Sequence, residues 1–396
     1  MATGSPFFPR TSELNKSLHW KDWSGYHAAG RYQEFHQPEY AAIRNGSALI
    51  DVSPLYKYRV AGPDAAALVD RVLTRNVRKQ KVGQVVYAPW CDEDGKVLQE
   101  GTVMRLDEDV FQINAAEPAI RWLRLSAAGL RLEIEDCSAA VAALAVQGPT
   151  SRALLDEVSD GGVGQLEFFH LTTCEIAGAS VVVSRTGYTG DLGYELWIPA
   201  ADTIRVWDVL MAAGGAHGVT PCGLLALDVA RIEAGFILID VDYKSAEHAL
   251  IPSQKSSPYE LGLGWAVKLK KKARFIGREA LVREKRQGSA WQLVGLEIPW
   301  EPLEELYLEA GLMPDLPTVA WRDPVPVYAA GRQVGRATSG CWSTTLKKYI
   351  ALASVETPYS RPGGELNMEV TVDYTRRQAP ARVAPLPFFR PSRMRD

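Results

Sequence analysis

The chain has 396 residues, enough for two or three domains with a sizeable core. Its 46% hydrophobic and 23% charged residues describe an ordinary globular protein, and a formal net charge of -3 argues against a nucleic-acid partner held by bulk electrostatics. No stretch reaches the ~18 consecutive apolar residues of a membrane span, and Met1 to Arg10 lacks a charged-then-apolar secretory pattern, so a cytoplasmic protein with no membrane partner is expected.

The five cysteines are scattered without C-x-x-C spacing, and the six histidines show neither H-E-x-x-H nor a close pair, so neither a disulfide framework nor a metal is expected. There is no G-x-G-x-x-G after an early strand and no Walker loop, which argues against nucleotide chemistry.

In chain order, residues 1 to 36 are polar and aromatic, with Trp20, Trp23, Tyr26 and Tyr32 close together; plain packing explains such an arm as readily as contact with a ligand. Tyr58 to Ala61 predicts a strand, and Ala65 to Leu73 a helix with Leu68, Val69, Val72 and Leu73 on one face. A second copy of this unit lies 86 residues on, where Gly148-Pro149 and Ala153-Leu154-Leu155-Asp156 repeat Gly62-Pro63 and Ala67-Leu68-Val69-Asp70. Units near 58-73 and 143-158 therefore predict two related α+β subdomains. Between them a meander runs through Val85 to Trp90, a turn at Asp92 to Gly95, Val97 to Leu106, a turn at Asp107 to Asp109, and Val110 to Ala115.

Ser184 to Leu196 reads Ser-Arg-Thr-Gly-Tyr-Thr-Gly-Asp-Leu-Gly-Tyr-Glu-Leu, two strands joined by a loop with glycine at every third position, Gly187, Gly190 and Gly193. Such spacing suits a backbone that takes positive φ or lies against something flat. Glu195 then opens a strand otherwise written Leu196-Trp197-Ile198, and a carboxylate in that setting needs a partner. A tight hairpin with a rim glutamate is the plain alternative. Against it, Tyr188 and Tyr194 bracket the glycines, and an acceptor-only carboxylate matches a flat heterocycle with two adjacent N–H donors, as in a reduced pterin. Beyond the loop, Ala201 to Ala213 and Pro221 to Gly235 predict helices, and short strands broken by Gly and Pro follow from about 290.

Arg185 to Glu195 closely resembles the signature of the glycine-cleavage T-protein, an aminomethyltransferase, and of its folate-dependent relatives; Pro221 to Gly235, Ser257 to Trp265 and Thr338 to Leu346 extend the resemblance from about residue 38 to the end. It implies an α+β, T-protein-like three-domain arrangement of two interleaved α+β subdomains plus a C-terminal β-barrel, divided here as 1-285 and 286-396. It also implies tetrahydrofolate as cofactor, with Glu195 on the pterin and Tyr87, Asn114, Tyr188 and Trp265 around it, and an N-terminal arm near the substrate; Trp23 of that arm and, outside it, Tyr56 are the candidate substrate contacts.

The departures are informative. Where the family has two consecutive aspartates, the first facing the reactive folate nitrogen, this chain has Gln99-Glu100. Neighbours on a strand point to opposite faces. With the register kept, Gln99 faces the folate and the anion is lost; a slip of one residue brings Glu100 to the site. Leu227 stands where relatives usually have arginine, and an apolar run ending in Asp242-Tyr243 replaces a Tyr-Gly-Gln-Glu-like segment. These changes predict a tetrahydrofolate-dependent methyltransferase or demethylase acting on an O-, S- or N-methylated small molecule, with Asp242 or Tyr243 as the acid where the leaving group needs a proton and without a carrier protein. The alternatives are an aminomethyltransferase of a glycine-cleavage-type system and a non-catalytic folate-binding protein.

Overall fold

The computed structural model describes residues 2–396. Its architecture is α+β, with two sheets that share the first part of the chain and a C-terminal barrel. Ser47–Asp51 enters a six-stranded sheet, the chain leaves to build a five-stranded sheet from Tyr56–Ala61 to Glu133–Asp136, and Val141–Gln147 then returns beside Ser47–Asp51. The sheets are therefore interleaved in sequence. The units at 58–73 and 143–158 take the same shape, strand, glycine, helix, with Gly62 at φ 131° and Gly148 at φ 128° turning each strand into its helix. These are backbone angles that glycine adopts freely.

Each sheet buries its outer face under its own helices. Leu144, Val146, Tyr194 and Leu196 of the six-stranded sheet pack with Leu154, Trp207 and Leu210, and Tyr58, Val103 and Ile113 of the five-stranded sheet pack with Leu68, Val69 and Leu123. The inner faces meet in a central cluster. Ala143, Ala145 and Trp197 come from one sheet, Val85, Val97 and Met104 from the other, Ala226 and Leu227 from the helix Leu224–Glu233, and Cys341, Ile350 and Leu352 from the barrel. The barrel is closed by six strands, of which Arg332–Ser343 and Thr375–Ala384 exceed the short strands expected from the sequence, and the segment after Ile298 forms the helix Trp300–Glu309. Among the described residues no helix is long and apolar enough to cross a membrane.

Charge, as well as apolar packing, joins the barrel to the sheets. Asp242, 1% exposed, accepts hydrogen bonds from Arg231 Nη1 (2.5 Å), the Leu238 amide (2.8 Å), Thr338 Oγ1 (2.6 Å) and Ser339 Oγ (2.7 Å). A second brace forms around Glu233, which accepts from Arg44, Tyr40 and, across the interface, Ser343. The segment after the barrel crosses back over the N-terminal half, where Arg393 grips Asp191 with Nε (2.6 Å) and Nη2 (2.9 Å).

Asp242→Ala leaves the buried Arg231 guanidinium with one carboxylate instead of two, and removing one member of a buried pair costs about 3–5 kcal/mol. Thr338→Val removes a single neutral donor from a carboxylate that keeps three others, a loss of about 1 kcal/mol. Urea unfolding of the two variants is expected to show that order; equal midpoints for Asp242→Ala and the parent would remove Asp242 as the clamp.

Candidate functional site

In the strand Gly193–Pro199 the side chains of Tyr194, Leu196 and Ile198 enter the outer core, so Glu195 and Trp197 face inward to the central cluster. The Glu195 carboxylate accepts one hydrogen bond, from Thr186 Oγ1 at 2.5 Å, and Thr186 is itself linked to Ser184, whose hydroxyl accepts from Trp197 Nε1. Among the described residues no basic side chain forms a salt bridge with it. Burial raises its pKa and the Thr186 bond opposes that shift. A desolvated acceptor with a single protein donor has capacity left for two parallel N–H groups, so the residues present fit the edge of a reduced pterin.

The glycine spacing has a different origin from ligand contact. A Cβ on Gly187 would lie 2.0 Å from Gln147 Oε1 and one on Gly193 2.3 Å from the same atom, so the buried Gln147 amide is the flat object these two glycines accommodate. Its Nε2 donates to the Thr186 and Tyr194 carbonyls. Gly190 is needed for φ 70°.

The second carboxylate of the site is Glu100, which corrects the expectation that Gln99 would face the ligand. Trp90 pairs with Gln99 but Cys91 pairs with Val97, so Leu98 is the extra residue of a bulge. Beyond it Tyr87 pairs with Thr102 and Val85 with Met104, and this parity turns Glu100 inward with Tyr87 and turns Gln99 outward with Trp90. Gln99 is occupied there: Oε1 accepts from the Glu117 amide (3.1 Å) and Nε2 donates to the Glu117 carbonyl (3.2 Å). The rule that the two neighbours cannot share a face holds, with the faces exchanged.

Glu100 accepts a very short hydrogen bond from the Tyr243 hydroxyl. Burial lifts its pKa to about 7, the Tyr243 bond opposes the rise, and the nearby charge of Asp242 adds to it. Tyr87, Tyr188 and Tyr243 all lie within electrostatic reach of this carboxylate; burial pushes their hydroxyl pKa values up, and the Glu100 charge pushes them further. The Tyr87 ring stacks on Trp265 with centroids 6.2 Å apart, and Tyr188 stacks on Phe236 at 5.5 Å. Trp265 is 54% exposed, which puts it at the rim. The arrangement is one carboxyl group that titrates at about 7 among three phenols, with aromatic walls on two sides.

Asn114 pairs with Thr102 across the meander, and its amide donates to Thr102 Oγ1, on the same face as Glu100. Trp23 packs against the central cluster. Tyr56 does not join the site. It lies on the other face of the five-stranded sheet, stacked on Tyr58 at 6.3 Å, because alternation from Lys57 opposite Asn114 sends it outward. Asp242 is no acid either, since both its oxygens are committed to the interdomain clamp. Thr186 and Phe236 were not singled out from the sequence. Thr186 stands inside the glycine motif two residues from Ser184 and so on the face of Glu195, and alternation alone could have found it; Phe236 carries no such signal.

The GCVT N-terminal domain model matches residues 12–271, and the glycine cleavage T-protein C-terminal barrel domain model matches residues 310–390. Among curated proteins, the chain is 38% identical over 362 residues to an aminomethyltransferase of Symbiobacterium thermophilum, covering 89% of this chain and 88% of that one. It is 34% identical to an aminomethyltransferase of Halothermothrix orenii, covering 97% and 99%. A trimethylamine-oxide aldolase of Ruegeria pomeroyi is 36% identical, covering 90% of this chain and 43% of the aldolase. The crystal structure of the glycine cleavage system aminomethyltransferase T from Bartonella henselae superposes with a TM-score of 0.83 at 22% identity, covering 98% of each chain, and supports the fold. By the models it matches and the relatives it covers almost end to end, the chain belongs to the glycine-cleavage T-protein family of aminomethyltransferases.

Proposed function

We propose that the protein transfers a one-carbon group from a cationic methylated small molecule to tetrahydrofolate. The observation that carries this reading is the Glu100 carboxylate set among Tyr87, Tyr188 and Tyr243. Aromatic faces and a carboxylate together hold an ammonium or sulfonium group, and an onium donor leaves as a neutral molecule once its methyl carbon is displaced. Tetrahydrofolate, when bound, supplies the nitrogen that accepts the carbon. Glu195 and Thr186 would grip and orient the pterin edge, Tyr87 and Tyr188 would hold the donor, and the ionised Glu100 would steady the positive charge of the transfer and take the proton that the accepting nitrogen loses. Tyr243 fixes the Glu100 carboxylate by its hydrogen bond and closes the floor against water.

The second reading is aminomethyl transfer from a carrier-bound donor. It is favoured by the family and by Glu100, because the charge that Gln99 was expected to remove from the site is supplied by its neighbour. Incubating the protein with tetrahydrofolate and either a panel of methylated ammonium, sulfonium and aryl ether donors or an aminomethyl-lipoyl carrier protein separates the readings. 5-Methyltetrahydrofolate formed with an onium donor supports the first; methylenetetrahydrofolate formed only with an aminomethyl-lipoyl carrier supports the second.

Three outcomes test the residue roles. Glu195→Ala is expected to weaken tetrahydrofolate binding by about 2–3 kcal/mol, the worth of a charge-assisted paired bond, read by calorimetric titration. An unchanged affinity would move the pterin elsewhere. Because Glu100 acts as the anion, kcat rises with pH through about 7 and then levels off, and Glu100→Gln is slow and flat across that range. A wild-type profile without that limb would deny Glu100 the role. Finally, a carboxyl group whose folded pKa is raised favours the folded state in its neutral form, so its contribution is lost as pH rises from the unfolded value toward 7. Glu100→Gln is therefore more heat-stable than the parent at pH 8 and no more stable at pH 4; a gain equal at both pH values would place the effect in packing rather than charge.

A further inference from the structure

Arg185 opens the glycine motif, yet nothing in the one-carbon site uses it. Its neighbours Ser184 and Thr186 point to the Glu195 face, whereas Arg185 points to the outer side of the same sheet, where its Nη1 donates to the Leu166 carbonyl at 3.0 Å. The residue is 4% exposed, and its Nε and Nη2 are buried without a hydrogen-bond partner. These two N–H groups form the side-on fork of the guanidinium, the edge that grips a carboxylate or phosphate with two parallel bonds.

The same chain shows that fork filled elsewhere. Arg10 holds Asp208 by Nε (2.7 Å) and Nη2 (2.8 Å), and Arg393 holds Asp191 by the same two atoms. At Arg185 no Asp or Glu side chain among the described residues forms a salt bridge, and none does so with Arg152 or Arg395. All three arginines line one cavity of about 460 Å³, together with the loop Gly164 to Phe168, and the acidic residues Glu167 and Asp396 lie on its wall without a salt bridge to any of the three. Arg152 spends one Nη2 bond on a backbone oxygen of Asp396, the last residue of the sequence (3.1 Å), and its Nε reaches the Tyr194 hydroxyl at 3.4 Å. Burial and the neighbouring Arg152 both work against the Arg185 charge, and Tyr194 and Asp396 oppose them. A guanidinium so placed is costly unless an anion meets it.

We infer that this cavity is an oxyanion site, separate from the folate side, in which a small carboxylate or phosphate bridges the side-on fork of Arg185 and the guanidinium of Arg152, with Arg395 at the rim. An anion here lies behind the strand ends that present Thr186 and Glu195, so its binding is read as stability of that loop and not as chemistry. The inference does not rest on the nature of the one-carbon donor.

The test is thermal unfolding and calorimetric titration of the full chain in sodium phosphate, sodium malonate and sodium chloride at matched ionic strength. Saturable stabilisation by phosphate or malonate over chloride is expected, and whichever of the two binds more tightly assigns the ligand as phosphate or carboxylate. Arg152→Gln, a partly exposed position, is expected to fold and to bind the anion about tenfold more weakly, with kcat and the folate KM unchanged. Arg185→Gln is expected to abolish the anion effect. No anion-specific stabilisation of the parent, or equal stabilisation of parent and Arg152→Gln, overturns the site. A raised folate KM in Arg152→Gln overturns its separateness and gives the arginines to the folate instead.

Discussion

The molecule is organised around one buried cation. Arg231, 1% exposed, lies where the two sheets and the barrel meet, with Nε on Asp228 at 2.8 Å and Nη1 on Asp242 at 2.5 Å. Burial works against its charge, and the carboxylates of Asp242 and Asp228 more than reverse that effect. Each carboxylate then extends the network to the barrel side, Asp242 to Thr338 and Ser339, Asp228 to Arg322. An ion network of this kind gains little over apolar packing but is costly to leave half-made, so it fixes the three parts in one arrangement. Tyr243 follows Asp242 directly, which ties the position of the Glu100 partner to the clamp.

That rigidity matters because the site has few interactions of its own. Glu195 is held by a single hydroxyl and Glu100 by a single phenol, and both carboxylates sit in surroundings that penalise their charge. Groups kept underpaired in this way are ready to bind something that brings donors or positive charge. In the proposed function the two carboxylates divide the work, the first taking neutral N–H donors and the second a cation.

Much of this was legible in the sequence. The strand–glycine–helix units, the meander and the inward carboxylate at Glu195 all follow from periodicity two and from glycines at turns, and they appear in the structure at Tyr58–Val72, Val85–Ala115 and Gly193–Pro199. What failed was parity through Gln99-Glu100. One extra residue, Leu98, exchanges the faces of everything beyond it, and a bulge has no signature in side-chain type. Asp242 misled for another reason: an acidic residue at the end of an apolar run looks poised for chemistry until its partners, Arg231 nearby and Thr338 almost a hundred residues away, are in place. The glycine spacing pointed to a loop that lies against a flat ligand, whereas the flat group that Gly187 and Gly193 accommodate is the Gln147 side chain.

The most direct measurement of the central claim is a crystal structure of the protein with tetrahydrofolate. The account predicts the pterin edge within hydrogen-bond reach of Glu195, about 3 Å, its reactive nitrogen turned toward Glu100, and Gln99 still bound to the Glu117 backbone. A pterin that leaves Glu195 unpaired, or one that meets Gln99 while Glu100 faces away, would contradict it.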